Sequence, residues 1–341
     1  NASLIFMKKT LSLVALLFAF NFYFAQGIDK KDTVIYSVVE DKPEFDFFNI
    51  GIDWMNLCLD NNAFPIGTGG TFNFSAGPIY GGADYIFGLE LASGAYLGPE
   101  DFRDGCKSIY SKSGRKSDFE SYIGYTFKEK KATEVQTVKL KAVGKMIYAM
   151  EIDATVLKKY GIEFGFRSGY SYYQSLNETN GFQAIPVNPY PGENADPFNL
   201  IASTVMEYNI LNFGVSLRKQ HDIVINTEEY GDKRSNNYTR LYARVAVLLN
   251  SNLDDVSRPT DGNWGDWLNS SPDHYRFNIN DNTQMNKVGF NVGASYVTSP
   301  KNFAAFGKVE LGYFPGPKVG IRNNIYFLLK GGFSFSAMFK K

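Results

Sequence analysis

The feature that most constrains this chain is a period-two alternation of side chains that recurs in many segments. In KYGIEFGFRSGYSYYQS, residues 159–175, every second position from Ile162 to Tyr172 is apolar or aromatic, apart from one serine. Small or charged residues such as Glu163 and Arg167 occupy the positions between them. Because successive side chains of a strand point to opposite faces, the segment predicts a strand with one apolar surface and one water-facing surface.

The same pattern is found in DYIFGLELAS, RLYARVAVLL, GFNVGASYV, GKVELGYF and GGFSFSAMF, whereas helical periodicity is almost absent. The sequence therefore predicts an all-β protein with mainly antiparallel neighbours and about 12 to 14 strands. The predicted strands are residues 45–54, 71–77, 84–92, 118–128, 132–142, 145–155, 160–175, 199–208, 210–226, 238–249, 287–298, 303–313, 318–328 and 330–340.

The connections between the predicted strands are of two kinds. Short ones are KEKK at 128–131, LKKYG at 157–161 and FPGPK at 314–318. Long polar ones are residues 55–70, 93–117, 176–198 and 250–286. This mixture is typical of a barrel with tight turns at one rim and large loops at the other. Counting strands from the N-terminus puts 250–286 at the rim of the short turns, so either one strand is miscounted or that loop is an exception.

The N-terminal region has the pattern of a secretory signal peptide. MKKTLSLVALLFAFNFYFAQ, residues 7–26, has two lysines, an apolar run and Ala25 before the expected cleavage point. The alternative is a membrane anchor, which is disfavoured because the apolar run is shorter than the ~20 residues of a spanning helix. We therefore expect residues 1–25 to be upstream sequence plus signal peptide, residues 26–44 a short lead-in, and residues 45–341 a single β-barrel domain.

Composition excludes several classes of function. Lys plus Arg and Asp plus Glu both number 35, which argues against a nucleic-acid partner. The only histidines are His221 and His274. Ser216 lies five residues before His221, so the two would face opposite sides of a strand, and His274 reads as a solvated loop residue. Neither a catalytic site, a metal site nor a cofactor is expected.

The two cysteines, Cys58 and Cys106, leave two possibilities open. An exported protein enters an oxidising compartment, which would permit a disulfide between them. Two separate thiols are equally compatible with the sequence.

A soluble β-sandwich also shows alternation, so the apolar partner of these strands has to be decided by other features. The polar face combines Gly and Ser with isolated charges, several predicted strands reach membrane-crossing length, and aromatic residues such as Trp54 and Phe339 stand at segment ends. With the leader and the final strand GGFSFSAMFKK, the chain from Phe45 onward resembles the outer-membrane β-barrel proteins of Gram-negative bacteria. One departure is that Lys340 and Lys341 follow the last aromatic residue, where such barrels commonly end.

The resemblance implies a closed antiparallel transmembrane β-barrel with long loops, located in the outer membrane, with membrane lipid as a partner. Charges on the polar faces would then point into the lumen, where they could form ion pairs or select solutes, or simply be hydrated. The candidates are Glu90, Glu163, Arg167, Arg240, Arg244, Lys308 and Glu310.

Two non-enzymatic functions follow from this interpretation. The first is a narrow, porin-like channel or transporter for small polar or amphiphilic solutes. The alternative is a structural or docking barrel, a subunit of a secretion, surface-display or adhesion assembly of the envelope. In that case Trp264 and Trp267, in a long polar loop, are candidate contact residues for a protein partner.

Overall fold

A computed structural model describes residues 28–30, 34–60, 65–90, 115–143, 146–174, 182–186, 198–200, 203–253, 256–259, 274–279, 283–298, 302–318 and 324–340. The chain divides into two compact units. Unit 1 comprises residues 1–44, 131–157 and 220–236, and unit 2 comprises residues 45–130, 158–219 and 237–341. No helix long and apolar enough to cross a membrane is found among the described residues.

The described secondary structure consists of strands. In chain order they are β1 (Ile28–Lys30), β2 (Tyr36–Asp41), β3 (Phe45–Asp60), β4 (Pro65–Ala76), β5 (Ile79–Glu90), β6 (Arg115–Val143), β7 (Met146–Gln174), β8 (Phe182–Pro186), β9 (Phe198–Leu200), β10 (Ser203–Thr227), β11 (Gly231–Leu253), β12 (Val256–Pro259), β13 (His274–Asn278), β14 (Met285–Asn286), β15 (Val288–Thr298), β16 (Asn302–Tyr313), β17 (Gly316–Pro317) and β18 (Ile325–Lys340).

Unit 2 contains a closed antiparallel barrel of ten strands. Its strand order is β7-β6-β5-β4-β3-β18-β16-β15-β11-β10, and pairing of β7 with β10 closes the ring. The all-β prediction and the closed barrel are confirmed, but the strand number is ten rather than 12 to 14. Strands β1 and β2 are additional to the ring.

The strand count was wrong because four strands had each been divided in two. The predicted segments 118–128 and 132–142 are the single strand β6, and 145–155 and 160–175 are β7. In the same way 199–208 and 210–226 form most of β10, and 318–328 and 330–340 largely merge into β18. KEKK and LKKYG are therefore strand interior and not turns. With ten strands, the connection after β11 leaves from the same rim as the other long connections.

Barrel side chains in unit 2 alternate between an exposed apolar face and a buried polar face. On β7, Ile162 and Phe164 are 55% and 54% exposed, whereas Glu163 between them is 3% exposed. On β3, Ile52 is 71% exposed and the adjacent Asp53 is fully buried. This is the reverse of a water-soluble barrel, in which the apolar residues fill the interior.

Unit 1 has the opposite polarity. Its buried core consists of Val138, Leu140, Ile152, Ala154, Ile223 and Ile225. The neighbouring residues Lys139, Lys141, Glu151 and Asp153 are exposed. Because β6 and β7 each contribute residues to both units, the polarity of one continuous strand reverses along its length.

The N-terminal strands complete unit 1. β1 pairs with β7 in parallel, and β2 pairs with β10 in antiparallel orientation. Asp41, the last residue of β2, accepts hydrogen bonds from the backbone N–H and the Oγ1 of Thr155, the latter at 2.7 Å. The N-terminal segment is thus held by both main-chain and side-chain hydrogen bonds.

Small residues inside the unit 2 barrel make room for large ones. Tyr80 is fully buried, and its hydroxyl is hydrogen-bonded to Ser216 Oγ at 2.6 Å. A Cβ added to Gly124 would lie 2.2 Å from Tyr80 Cζ. A Cβ on Gly70 would have no neighbour nearer than 3.7 Å. Gly124 is therefore required by packing, whereas Gly70 is not.

We predict that Gly124→Ala destabilises the barrel and that Gly70→Ala does not. Overpacking against the Tyr80 ring should lower the free energy of unfolding by about 1–3 kcal/mol. Gly70→Ala should change it by no more than about 0.5 kcal/mol. Urea unfolding of the refolded protein in detergent measures both, and equal midpoints for the two variants would contradict this account of the packing.

Candidate functional site

The candidate site is the group of charged side chains that fills the middle of the unit 2 barrel, which we call the ionic layer. Its members are at most 8% exposed. They are the acids Asp53, Asp84, Asp118, Glu120, Glu163 and Glu310, and the bases Arg167, Arg240, Arg244, Lys308 and Lys330. An isolated charge buried in this way would be strongly unfavourable, so the pairing of each charge decides whether the barrel can form.

Two lysines link three carboxylates on one side of the ionic layer. Lys330 Nζ lies 2.8 Å from Asp53 Oδ2 and 2.7 Å from Asp84 Oδ1. Lys308 Nζ lies 3.0 Å from the other oxygen of Asp84 and 2.8 Å from Glu120 Oε2. Thr71 Oγ1 also donates to Asp84 at 2.7 Å. Asp84 is therefore shared by both lysines.

Glu310 is the acceptor on which the second part of the layer converges. Tyr326 donates its hydroxyl to Oε1 at 2.6 Å, and Tyr242 donates to Oε2 at 2.5 Å. Arg244 Nη2 lies 3.0 Å from Oε2 of Glu310 and 2.5 Å from Oε1 of Glu120. Arg244 therefore joins the lysine-linked carboxylates to Glu310, and one network of charges extends across the interior.

Arg167 extends this network toward the rim of the long connections. Its Nη1 lies 3.5 Å from Glu310 Oε1, and its guanidinium makes two-nitrogen contact with Asp118. The guanidinium carbon also lies 5.0 Å from the ring centroid of Phe314, which belongs to the chain after β16. An aromatic ring thus covers the charge on that side.

Arg240 and Glu163 form a separate bidentate pair. Arg240 Nε and Nη2 donate to the two oxygens of Glu163 at 2.6 and 2.5 Å. The guanidinium carbon is 3.7 Å from the ring centroid of Tyr122 and 4.2 Å from that of Tyr242. Two parallel hydrogen bonds and two aromatic contacts fix this arginine in one orientation.

Six of the seven charged residues proposed from the sequence as lumen-facing lie in the ionic layer. The seventh, Glu90, ends β5, and its side chain is outside the described part of the structure. Sequence spacing did not identify the partners: Glu163 pairs with Arg240 and not with Arg167, four residues away. The members that sequence analysis missed are Asp53, Asp84, Asp118, Glu120 and Lys330. Asp84 lies six residues before Glu90 on β5, so both side chains point to the same face of the strand. The proposed inward position of Glu90 could therefore have identified Asp84 as inward-facing too.

Apolar clusters lie on the barrel interior at both ends of the strands. At the turn rim Phe45, Phe47, Tyr238, Val297, Ala304 and Phe306 form a buried cluster. At the opposite rim Met206, Tyr208, Ile210, Ala246, Leu248, Leu253 and Ile279 form another, against which Phe314 packs. Within the ionic layer a cavity of about 20 Å³, lined in part by Asp84, Lys308 and Lys330, is sufficient for about one water molecule.

The residues considered for catalysis have other partners. Ser216 is bonded to Tyr80, whereas His221 Nε2 lies 3.2 Å from Ser235 Oγ. Asp222, the residue after His221, accepts hydrogen bonds from Arg234 Nε and Nη2 at 2.7 and 2.5 Å. The side chain of His274 is outside the described part. Among the residues that the structure describes, no group of three or more His, Cys, Asp or Glu is placed to hold a metal ion.

Cys58 is buried near the end of β3. Its proposed disulfide partner, Cys106, lies outside the described residues, as do the loop contact candidates Trp264 and Trp267 and the signal peptide.

Comparison with known proteins finds no matching family model and no matching curated protein. Solved structures similar to the chain include the high-pH structure of Pseudomonas putida OprB, at 7% identity, covering 80% of this chain and 59% of that one. An anion-selective porin from Comamonas acidovorans is 8% identical, and the match covers 89% of this chain and 100% of that one. Salmonella typhi OmpF in complex with daunomycin is 7% identical, and the match covers 88% of this chain and 100% of that one. The TM-score is 0.17 in each case, so these likenesses carry no argument, and the barrel is established by its strand pairing.

We predict that Glu163→Gln destabilises the barrel strongly, because it leaves Arg240 buried without its carboxylate. The expected loss is about 3–5 kcal/mol in the free energy of unfolding. The control is Glu44→Gln in unit 1, where Glu44 forms a 2.8 Å pair with Lys131 and both side chains are about half exposed. That change should cost less than about 1 kcal/mol.

A double-mutant cycle with Arg240→Gln separates the pair from the individual residues. The double variant Glu163→Gln/Arg240→Gln should be more stable than the sum of the single changes indicates, since no charge is then left alone. Additive losses, or an effect of Glu163→Gln no larger than that of Glu44→Gln, would show that the buried pair is not needed.

Proposed function

We propose that the protein is a non-enzymatic outer-membrane β-barrel in which unit 2 spans the membrane. The observation that carries the proposal is the reversal of polarity along β6 and β7. In unit 2, β6 exposes Phe119, Ile123 and Phe127, whereas in unit 1 the same strand exposes Lys139 and Lys141. An apolar outer surface suits lipid, and a charged outer surface suits water.

The extent of the apolar surface supports this assignment. Every barrel strand exposes large apolar side chains; examples are Ile50, Phe72, Tyr85, Phe213, Leu241, Phe290, Leu311 and Phe335. A soluble protein rarely exposes contiguous apolar patches of more than a few hundred Å². Strands of 12 residues such as β4, β5 and β16 also match the ~9–11 residues needed to cross hydrocarbon at a tilt.

The packed interior favours the docking function over an open pore. The ionic layer joins side chains from β3, β5, β6, β7, β11, β16 and β18, and apolar clusters stand at both ends of the strands. A barrel packed in this way anchors and presents other parts of the chain. In unit 1, β2 exposes Tyr36, Val38 and Val39, and these residues are proposed contacts for a protein partner in the envelope. Trp264 and Trp267, in the long connection after β11, are a separate proposed contact.

A narrow channel for small polar solutes is the second candidate, and the charged interior favours it. In that function the ionic layer would be a gate, since a path for solute requires the displacement of its ion pairs. The two functions therefore differ in whether the ionic layer stays in place or rearranges.

We predict that a charge on the outer face of unit 2 impairs membrane insertion. Ile50→Arg places a charge on an exposed apolar position of β3 and should cost about 2–4 kcal/mol if the site is near the bilayer midplane. Thr137→Arg makes the same addition at an exposed position of unit 1 and should have little effect. The measurement is the fraction of protein in lipid vesicles whose gel mobility shifts on boiling. Equal insertion of both variants would contradict a membrane-spanning unit 2.

Conductance in planar bilayers distinguishes the two functions. For a docking barrel we expect no steady conductance from protein that is heat-modifiable and therefore folded. For a gated channel we expect discrete steps, and their ion selectivity should shift when Arg240→Gln/Arg244→Gln removes two positive charges from the interior, recorded only from variant protein that is still heat-modifiable. Steps that are insensitive to this double change would exclude a path through the ionic layer.

A further inference from the structure

An apolar groove lies on the outer face of unit 2, where β6, β7 and β10 are neighbours. Its volume is about 730 Å³, and its lining includes Ile123, Tyr125, Ile162, Phe164, Phe213 and Val215. These six side chains are 48–56% exposed, so the groove is open to whatever surrounds the barrel.

The groove lies at the level of the short turn between β4 and β5. Tyr125 is paired with Ile79, the first residue of β5, directly after the tight turn that contains Gly77. In outer-membrane barrels the short turns face the periplasm, so the groove belongs to the periplasmic half of the bilayer.

Positive charge follows the groove on its turn-rim side. Lys158 precedes Ile162 by four residues on β7, and Lys219 follows Val215 by four on β10, each with the strand parity of the groove residue. At 3.3 Å per residue this places the lysines about 13 Å from the groove residues along the strands. A third lysine, Lys128, has its Nζ 6.0 Å from the ring centroid of Tyr160, which lies between Lys158 and Ile162 on β7. Aromatic side chains and lysines at this depth are typical of the headgroup region.

We propose that this groove binds an acyl chain of an anionic glycerophospholipid of the periplasmic leaflet, with its phosphate beside Lys158 and Lys219. The inference rests on the proposed membrane insertion of unit 2. An acyl chain fits an apolar groove open to the bilayer, and the lysines complement the negative headgroup.

A second outer groove provides a comparison for the first. It has a volume of about 420 Å³ and is lined by Phe48, Ile50, Phe303, Phe335, Ser336 and Ala337. On β3 the same face continues toward the turn rim with Asp46, an acid whose Oδ1 accepts from the backbone N–H of Gly77 at 2.8 Å. On β3 the described side chain on the turn-rim side of this groove is thus an acid, and the groove serves as an internal control.

The test is native mass spectrometry of the full chain in detergent, titrated with dioleoylphosphatidylglycerol or dioleoylphosphatidylcholine. We expect saturable retention of one phosphatidylglycerol, weakened roughly tenfold in Lys158→Gln/Lys219→Gln. The matched control Lys139→Gln/Lys141→Gln removes two exposed charges from unit 1 and should leave retention unchanged.

Val215→Trp and, separately, Ile123→Trp should fill the groove and abolish retention, whereas Ala337→Trp in the second groove should not.

Boiling-dependent gel mobility in vesicles is measured for every variant, so that loss of folding is not mistaken for loss of the site. If the unsubstituted chain fails to insert, both the proposed function and this inference are overturned. If it inserts but retains phosphatidylglycerol no better than phosphatidylcholine, or if the lysine and tryptophan changes leave retention unchanged, the lipid site alone is overturned.

Discussion

The structure depends on one constraint: a barrel whose outer face is apolar must hold its charges inside, and each of those charges needs a partner. An unpaired carboxylate or guanidinium in such an interior would cost several kcal/mol, which is comparable to the whole stability of a domain. The ionic layer meets this constraint by sharing. Asp84 accepts from two lysines, and Glu310 accepts from two tyrosines and an arginine.

Aromatic residues and glycines on the interior serve the same constraint. The rings of Tyr122 and Tyr242 both pack against the guanidinium of Arg240, which is also hydrogen-bonded to Glu163. Glycine at position 124 admits the ring of Tyr80, which in turn lies 3.4 Å from the guanidinium carbon of Arg218. Shape and charge are therefore coupled, because a change in one small residue displaces an aromatic ring that contacts a cation.

Strands β6 and β7 show how one β-structure can suit two environments. In unit 2 their outward side chains are apolar and their inward ones charged, and in unit 1 the order is reversed. The charge runs KEKK and LKKYG stand where the polarity changes. Sequence analysis read these runs as turns because they interrupt the apolar pattern. KEKK, however, has none of the Gly, Asn or Pro residues that favour tight turns, and the one glycine of LKKYG, Gly161, lies within β7. A strand that continues across a change of polarity needs no turn at that boundary, and this accounts for the division of β6 and β7 in the sequence-based count.

The sequence by itself determined the features that depend on neighbouring residues. Alternation at i and i+2 predicts strands, and it separates Glu163, Arg167, Arg240 and Arg244, which are buried, from the apolar residues beside them. Which strand follows which around the ring, and therefore which charges meet, was decided only by the tertiary structure. Glu163 and Arg240 are 77 residues apart, and Lys330 and Asp84 are 246 apart. No local pattern encodes such contacts, because they depend on barrel closure and on the register of every intervening strand.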